Sequence, residues 1–482
     1  MKRNVIFYSF IIFVCFLLSS CLSPYSGPEE ETTITITLGS PGNSRILVGN
    51  AGATAEFLRF EHELYFNGVF VPVTVATDTD GAAPIMTLTA TVTFAPSNNH
   101  ISIRAYDPNN THPNLTSFGP GRILRAVTEN PVPISIGQTG VPIPMVSAME
   151  VDNWAQLVQA AAGGPDGTRA EIIFLKNETF IATGEIPVSR PIFLRTLDGD
   201  VTINRPGTML LPFFNVGASG TLTLQGSSGM LTLNGGGSAV TSHSSPLIFV
   251  NGGTLEMNGM VHLENNHSMN WGGAVIVNTG SFIMNDGTIE GNRAGTNGGG
   301  VVVDSGGTFI MRGGVIRNNT ATDDVFSGNG GGVAVLGTFT MEDGQIMNNT
   351  ALNGGGVAVL GTFTMEGGEI SNNTAAGFSP AGGGVFVDAG DFIMNDGEIR
   401  NNRSGGFGGG VFVNPPGTFT KNGGDLFGLI GGASQGPNSN ILWDGSAFFP
   451  PSAGGDGHAL YVASNHSVFE NGDVPNGGPI WP

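Results

Sequence analysis

The feature that most constrains this chain is a repeat between about residues 247 and 420. Each unit contains Gly-Gly-Val-x-Val, then Gly-Thr-Phe-x-Met, then Gly-x-Ile-x-Asn-Asn. The phenylalanine of the second segment recurs at intervals of 27, 30, 24, 29 and 27 residues, at Phe282, Phe309, Phe339, Phe363, Phe392 and Phe419. A short period of this kind indicates stacked supersecondary units.

Each unit holds three runs in which apolar and polar residues alternate, separated by Gly, Asn and Asp. This pattern predicts three short strands joined by turns and leaves no room for a helix. We therefore expect an all-β fold, a parallel β-helix in which one repeat forms one coil. Like side chains should stack on like at about 4.8 Å, with Val301, Phe309 and Ile316 in the inward ladders of the three strands.

Two further positions recur with the repeat. A glycine follows the second strand at 287, 314, 344, 368, 397 and 424, where we expect a turn that needs a positive φ. An asparagine lies three positions after the inward isoleucine, at 292, 319, 349, 373 and 402, and predicts a ladder of side-chain amides. Asn-Asn-Thr at 318, 348 and 372 also matches a glycosylation acceptor, but its fixed place in the repeat favours the ladder.

The pairing of Gly-Gly-Ala-Val at 272–275 with Phe-Ile-Met-Asn at 282–285 resembles the repeats of chlamydial polymorphic outer-membrane proteins. Similar repeats occur in spirochaete lipoproteins. The resemblance covers about a third of the chain and implies a right-handed parallel β-helix of the pectin-lyase type, with adhesion to host cells as the function of the first family. Several units depart from the motif, with Arg312, Glu342 and Glu366 where Asn would complete it.

The N-terminus indicates export. A basic start and an apolar run over 5–18 predict a secretory signal, and Leu18-Ser19-Ser20-Cys21 resembles a bacterial lipobox. Lipidation of Cys21 is therefore expected, the alternative being an ordinary signal peptide with an incidental cysteine. Cys15 lies within the signal, so the mature chain can form no internal disulfide. Leu22 after the cysteine favours the outer membrane, and we expect display on its outer surface.

Regions outside the repeat follow simpler patterns. Alternating runs precede the repeat and predict a small antiparallel β-sandwich. Asp152 is expected to cap a helix that closes the first coil, with an apolar face of Trp154, Leu157, Val158 and Ala161. The expected divisions are a signal peptide over 1–20, a tether over 21–31, the β-sandwich over 32–146, the cap helix within 147–166, the β-helix over 167–430 and a C-terminal cap segment over 431–482.

Composition limits the partners. The formal net charge is −20, and the chain contains three lysines, so no basic stripe is available to neutralise phosphates. We expect the membrane as one partner through the lipid, a host protein, matrix or glycan as another, and no nucleic acid.

Some outward positions carry residues that can act in catalysis or bind a metal. Glu369 and Glu398 should lie on adjacent coils, close to the spacing of a retaining glycosidase pair, although Arg400 on the same face favours two solvated glutamates. Asp286, Asp343 and Asp396 share one position but are interrupted by glycines, which indicates turn formers rather than a calcium site. The histidines show no zinc spacing, and neither a metal nor a cofactor is expected.

The outward positions of the first strand are apolar, and those of the second carry no catalytic side chain. Ile276, Val302, Phe386 and Phe412 belong to the apolar stripe, which is the expected contact surface. The alternative is that a C-terminal segment at 448–451 folds over it. The sequence thus predicts a non-enzymatic, lipid-anchored, adhesin-like envelope protein. The alternatives are a polysaccharide hydrolase or lyase and a periplasm-facing scaffold.

Overall fold

A computed structural model describes residues 146–427, apart from 163–171, 198, 238–244, 322–327 and 377–380, together with separate strands before and after this range. The chain divides into two compact units, one of residues 1–111 and 120–147 and one of residues 112–119 and 148–482. The signal peptide, the lipobox with Cys21 and the segment 448–451 lie outside the described residues.

The described strands of the first unit are antiparallel, as expected. One sheet has the order Glu31–Leu38, Ile85–Thr93, Thr74–Asp78. A second set of pairings has the order Val69–Val71, Glu61–Phe66, Ile101–Tyr106, Leu124–Val127. The packing of these strands into a sandwich stays a prediction.

The second unit is a parallel β-solenoid of about nine turns, which confirms the fold class. Its handedness stays a prediction. The three segments of the repeat form three sheets along the solenoid, and we number these sheets 1 to 3 in the order of the segments. Four long strands turn corners and belong to two or three sheets each: Thr221–Asn234, Ile248–Glu264, Val275–Met284 and Val301–Met311.

The shorter strands each belong to one sheet. Sheet 1, from Val-x-Val, also contains Ile186–Val188, Phe214–Gly217, Val333–Val335, Val357–Val359, Val385–Val387, Val411–Val413 and Leu460–Val462. Sheet 2, from Phe-x-Met, also contains Val146–Val151, Ile172–Leu175, Pro191–Thr196, Thr338–Met341, Thr362–Met365, Asp391–Met394, Thr418–Lys421 and Phe469–Glu470. Sheet 3, from the isoleucine segment, also contains Thr179–Ile181, Val201–Asn204, Thr288–Glu290, Val315–Arg317, Gln345–Met347, Glu369–Ser371, Glu398–Arg400 and Asp425–Leu426.

A fourth sheet of two-residue strands was not expected. Its seven strands are His267–Ser268, Arg293–Ala294, Thr320–Ala321, Thr350–Ala351, Thr374–Ala375, Arg403–Ser404 and Ile441–Leu442. Five of the seven directly follow a ladder asparagine, at 292, 319, 349, 373 and 402. Two residues are too few for a pattern of alternation to be visible in the sequence.

Stacked phenylalanines fill the interior, as predicted. Rings on successive coils from Phe282 to Phe419 have centroids 4.7 or 4.8 Å apart. Their planes differ by 4° to 7° as far as Phe392. The rings therefore stay nearly parallel from coil to coil over this part of the stack.

The predicted asparagine ladder is also present, and it is buried. The Nδ2 of Asn319 donates to Oδ1 of Asn349 at 3.1 Å and to the backbone oxygen of Ile289 at 2.9 Å. Its Oδ1 accepts from the backbone nitrogen and the Nδ2 of Asn292, both at 3.0 Å. The same pattern continues to Asn402. Each inner amide is therefore satisfied without water.

The asparagine before four of the five ladder residues has a separate role. Asn318, Asn348, Asn372 and Asn401 have φ between 54° and 57°. Asparagine tolerates this left-handed region better than most residues do. The Asn-Asn doublet thus combines one asparagine for the turn and one for the ladder.

The turn glycine meets two requirements. The expected positive φ is confirmed, for example +101° at Gly344. In addition, a β-carbon on Gly344 would lie 2.6 Å from Cε of Met311, the buried methionine of the preceding coil. The tip of each methionine therefore occupies the space that a side chain at the turn would need.

Coils differ in length mainly at one corner, between sheet 4 and the bridges that precede sheet 1. One residue lies between Ala351 and Asn353, and seven lie between Ala321 and Asn329, although both pairs hold equivalent places in the ladders. This difference accounts for the whole contrast between the 24-residue and 30-residue intervals. The strands on either side keep their register.

Within the described residues, the one helix is Trp154–Ala162, and it lies against Ile172–Leu175 and Ile186–Val188. Its N-cap is Asn153, whose Oδ1 accepts from the backbone nitrogen of Gln156 at 3.1 Å, so the expectation that Asp152 caps the helix is wrong. The side chain of Gln156 instead accepts from the Asp152 backbone nitrogen at 2.7 Å, as in a capping box displaced by one residue.

The helix is fixed to the solenoid at both ends. Arg190 donates to the backbone oxygens of Ala160 and Ala161 at 2.7 and 3.2 Å. Trp154 is buried beside Phe213, with ring centroids 6.0 Å apart. These contacts fit an end cap, which remains a prediction. Within the described residues, no helix combines the length and hydropathy needed to cross a bilayer.

Part of the region expected to form a C-terminal cap continues the sheets. Leu460 pairs in parallel with Val411, and Phe469 pairs with Thr420. These strands add a further rung to sheets 1 and 2.

Candidate functional site

The apolar stripe outside sheet 1 is not the exposed surface that the sequence predicted. Val302 is fully buried, and Phe386 and Phe412 are each 8% exposed. Ile276 alone among the four predicted contact residues is partly exposed. The prediction of an accessible stripe is therefore wrong for the other three.

The turn before each sheet 1 strand covers this stripe. Gly298 has φ +66°, and a β-carbon there would lie 2.4 Å from Cγ2 of Val302. The residues that precede these glycines form a ladder of single bridges from Asn297 to Phe407. Near the C-terminal end, Ala381 and Phe407 pack with Phe386 and Phe412. The stripe is thus a second apolar layer beneath the turns.

Sheet 2 instead presents an accessible outer face, which we name the threonine face. Its first column consists of Thr254, Ser281, Thr308, Thr338, Thr362, Asp391 and Thr418. Its second column consists of Glu256, Ile283, Ile310, Thr340, Thr364, Ile393 and Thr420. All fourteen residues are at least partly exposed.

The threonine face is a regular array. The phenylalanine rings directly beneath it keep a spacing of 4.7 or 4.8 Å from coil to coil. Rungs lie about 4.8 Å apart, and residues two apart on a strand lie about 6.6 Å apart, so seven rungs span about 29 Å. Hydroxyl groups and small aliphatic groups therefore repeat at fixed intervals over a long strip.

A polar column borders the threonine face, and its side chains contact one another from coil to coil. Asn422 donates to Asn395 at 2.8 Å, and Asn395 donates to Glu366 at 2.9 Å. Arg312 lies 3.4 Å from Glu342. Arg312 and Glu342 thus offset each other, whereas Glu366 has a neutral amide as its partner. The face itself carries two carboxylates among its fourteen side chains, those of Glu256 and Asp391.

Glu369 and Glu398, the predicted catalytic candidates, pair in register on adjacent coils. Arg400 bridges them, with Nη2 at 2.8 Å from Glu369 Oε1 and Nε at 3.2 Å from Glu398 Oε2. A glycosidase pair requires one carboxylic acid in an apolar setting and one carboxylate facing the substrate. Here both carboxylates engage one guanidinium, an arrangement typical of a surface ion pair.

The three aligned aspartates act in turns. Oδ1 of Asp286, Asp343 and Asp396 each accepts a hydrogen bond from the backbone nitrogen of the glycine that follows, at 2.7 to 2.8 Å. One oxygen of each carboxylate is thereby used locally, as the turn interpretation requires.

Sequence reasoning missed a buried arginine near the start of the solenoid. Arg205 donates to the backbone oxygens of Pro246 and Ser245 at 2.6 and 3.3 Å, and its guanidinium lies 5.2 Å from the ring of Phe213. Burial lowers the pKa of Arg205 to about 10. Arg205 thus holds the chain at 245–246 onto the preceding coil, and no motif in the sequence signalled this contact.

Comparison of the chain with protein-family models, with curated proteins and with solved structures finds no match.

Proposed function

We propose that this protein is a non-catalytic binding protein of the bacterial cell envelope and that the threonine face contacts its partner. The single observation that carries the proposal is the accessible array of nine hydroxyl groups on six of the seven rungs, in which Glu256 and Asp391 are the two charged side chains. From Val302 to Phe412 the equivalent outer residues of sheet 1 are buried beneath turns and offer no such surface.

The chemistry of the face favours an extended neutral polymer. Each threonine hydroxyl donates one hydrogen bond and accepts others, while its methyl group and the neighbouring isoleucines supply apolar contact. A long regular strip allows many weak contacts to form in parallel along one chain. A glycan of the host matrix fits these properties best, and a host protein is the other expected partner class.

The N-terminal residues supply the proposed location. The lipobox-like Leu18-Ser19-Ser20-Cys21 supports lipidation of Cys21 and attachment to the outer membrane. Two or three acyl chains anchor a protein durably, since each buried methylene contributes about 0.8 kcal/mol. A solenoid attached in this way and displayed outside the cell would act as an adhesin-like rod.

Surface display predicts that the protein is cleaved when intact cells are treated with a protease too large to cross the envelope. Immunoblotting of the full-length chain measures the cleavage, and a periplasmic protein that must stay intact is the control. Protection of the full-length chain would contradict display and favour the periplasm-facing scaffold. A Cys21→Ala variant should in addition leave the membrane fraction.

Substitution on the threonine face should separate binding from catalysis. Thr308→Arg combined with Thr362→Arg places two bulky charges two rungs apart, and we expect at least a tenfold loss of binding to neutral matrix glycans on an array. The matched variant, Glu369→Gln with Glu398→Gln, changes sheet 3 and should bind normally. The polysaccharide hydrolase alternative predicts the reverse, with glycan cleavage lost only in the glutamine variant.

A further inference from the structure

One cluster on the outer side of sheet 3 brings together three side chains that can ligate a metal. His262, Glu264 and Glu290 are each partly buried, and one ligand atom from each lies within 4.8 Å of the other two. No zinc spacing is visible in the sequence because the third ligand comes from the next coil, 26 residues after Glu264.

The strand geometry explains the convergence. His262 and Glu264 are two residues apart on Ile248–Glu264, so their side chains project from the same face of sheet 3. Glu290 pairs in register with Glu264 on the adjacent coil. Direct and diagonal neighbours across two strands therefore supply all three ligands.

Glu290 is oriented by a fourth residue. Nε of Arg317, on the following coil, lies 2.7 Å from Oε2 of Glu290, and Oε1 of the same carboxylate lies 3.7 Å from Nδ1 of His262. One oxygen is thus held by the guanidinium while the other faces the imidazole. Ligating carboxylates in metal sites are commonly held by an outer partner in this way.

The charge balance differs from that of the other carboxylate pair on this sheet. Arg400 contacts both Glu369 and Glu398, so that pair is neutralised from within. Arg317 contacts Glu290, and no described side chain pairs with the carboxylate of Glu264. The formal charges of Glu264, Glu290 and Arg317 leave the cluster with one net negative charge.

We propose that His262, Glu264 and Glu290 form a zinc site that joins two coils of the solenoid. One imidazole nitrogen and two carboxylate oxygens suit Zn²⁺, and three protein ligands leave the fourth position for water. Calcium is a poorer match because it takes six to eight oxygen ligands. The bound ion offsets the repulsion between Glu264 and Glu290, which face each other across the rung.

The test is a calorimetric titration of the chelator-treated full chain with zinc sulfate. We expect one site per chain, with a dissociation constant in the micromolar range or below. His262→Ala and Glu264→Gln should each weaken binding at least tenfold, and Arg317→Gln should weaken it less. Glu369→Gln is the matched control and should bind zinc normally.

Two further measurements distinguish loss of zinc binding from loss of folding and test the ligand set. Zinc should raise the melting temperature of the parent chain but not of Glu264→Gln, and circular dichroism should show that each variant retains its strands. Cobalt bound at the site should give a visible spectrum without thiolate charge-transfer bands. Absence of saturable binding, or equal affinity in the parent and in both ligand variants, would overturn the proposal.

Discussion

Replacing Asn349 by alanine is expected to lower the free energy of unfolding by about 3 to 5 kcal/mol. Nδ2 of Asn349 donates to the backbone oxygen of Ile316 at 2.9 Å and to Asn373 at 3.0 Å. Its Oδ1 accepts from the backbone nitrogen and the side chain of Asn319 at 2.9 and 3.1 Å. Alanine has no amide, so these partner atoms lose their hydrogen bonds at a site that is closed to water.

The neighbouring asparagine is a close control. Asn348 is exposed and holds a φ of 56°, and glycine occupies the equivalent place at 291 with a φ of 64°. Asn348→Gly should therefore change the stability by less than about 0.5 kcal/mol. Urea unfolding followed by circular dichroism measures both variants. Equal stability of the two would show that the ladder contributes little.

Replacing Phe363 by alanine should cost a similar amount, about 3 to 5 kcal/mol, because a cavity would open in the centre of the ring stack. Phe363 has an aromatic neighbour on each side, at 4.7 and 4.8 Å. Phe363→Leu should be milder, at about 1 to 2 kcal/mol, since leucine retains much of the volume. Leu255 occupies the equivalent position on an earlier coil and shows that the ladder accepts this side chain.

Phe419, near the end of the stack, provides a comparison for Phe363, which lies in its middle. Phe419 contacts one described ring, that of Phe392 at 4.8 Å, and its plane is rotated by 18°. Phe419→Ala should accordingly cost less than Phe363→Ala in the same urea titration. If the two alanine variants lose equal stability, or if leucine is as harmful as alanine at 363, stacking between coils is not the source of the stability.

The ladders could be predicted from the sequence because each coil pairs with a near copy of itself. Once the period is known, a residue such as Phe309 must lie over the equivalent residue of the next coil. Its neighbours in the ladder are therefore phenylalanines as well. The same reasoning placed Asn319 and the turn glycines, and it brought Glu369 beside Glu398. Repetition thus converts a local pattern into a long-range contact.

Other features escaped prediction because they depend on where the chain goes between strands. Alternation classed Val302 as outward, which is correct for the strand, but a positive-φ turn at Gly298 folds back over it. His262 and Glu264 lie in an early coil that matches the repeat motif poorly, so no alignment of units marked them. Arg205 donates to backbone oxygens, and every residue has one, so the pattern of side chains in the sequence does not mark the contact.

The corner where coils differ in length has a consequence for how such a chain can evolve. Because the residues added between Ala321 and Asn329 leave the register of every ladder unchanged, the gene tolerates insertions there. Recombination between near-identical repeats can likewise remove or duplicate a whole coil, since each new junction joins surfaces that already match. The length of the molecule is then an inherited trait that changes in steps of about 4.8 Å.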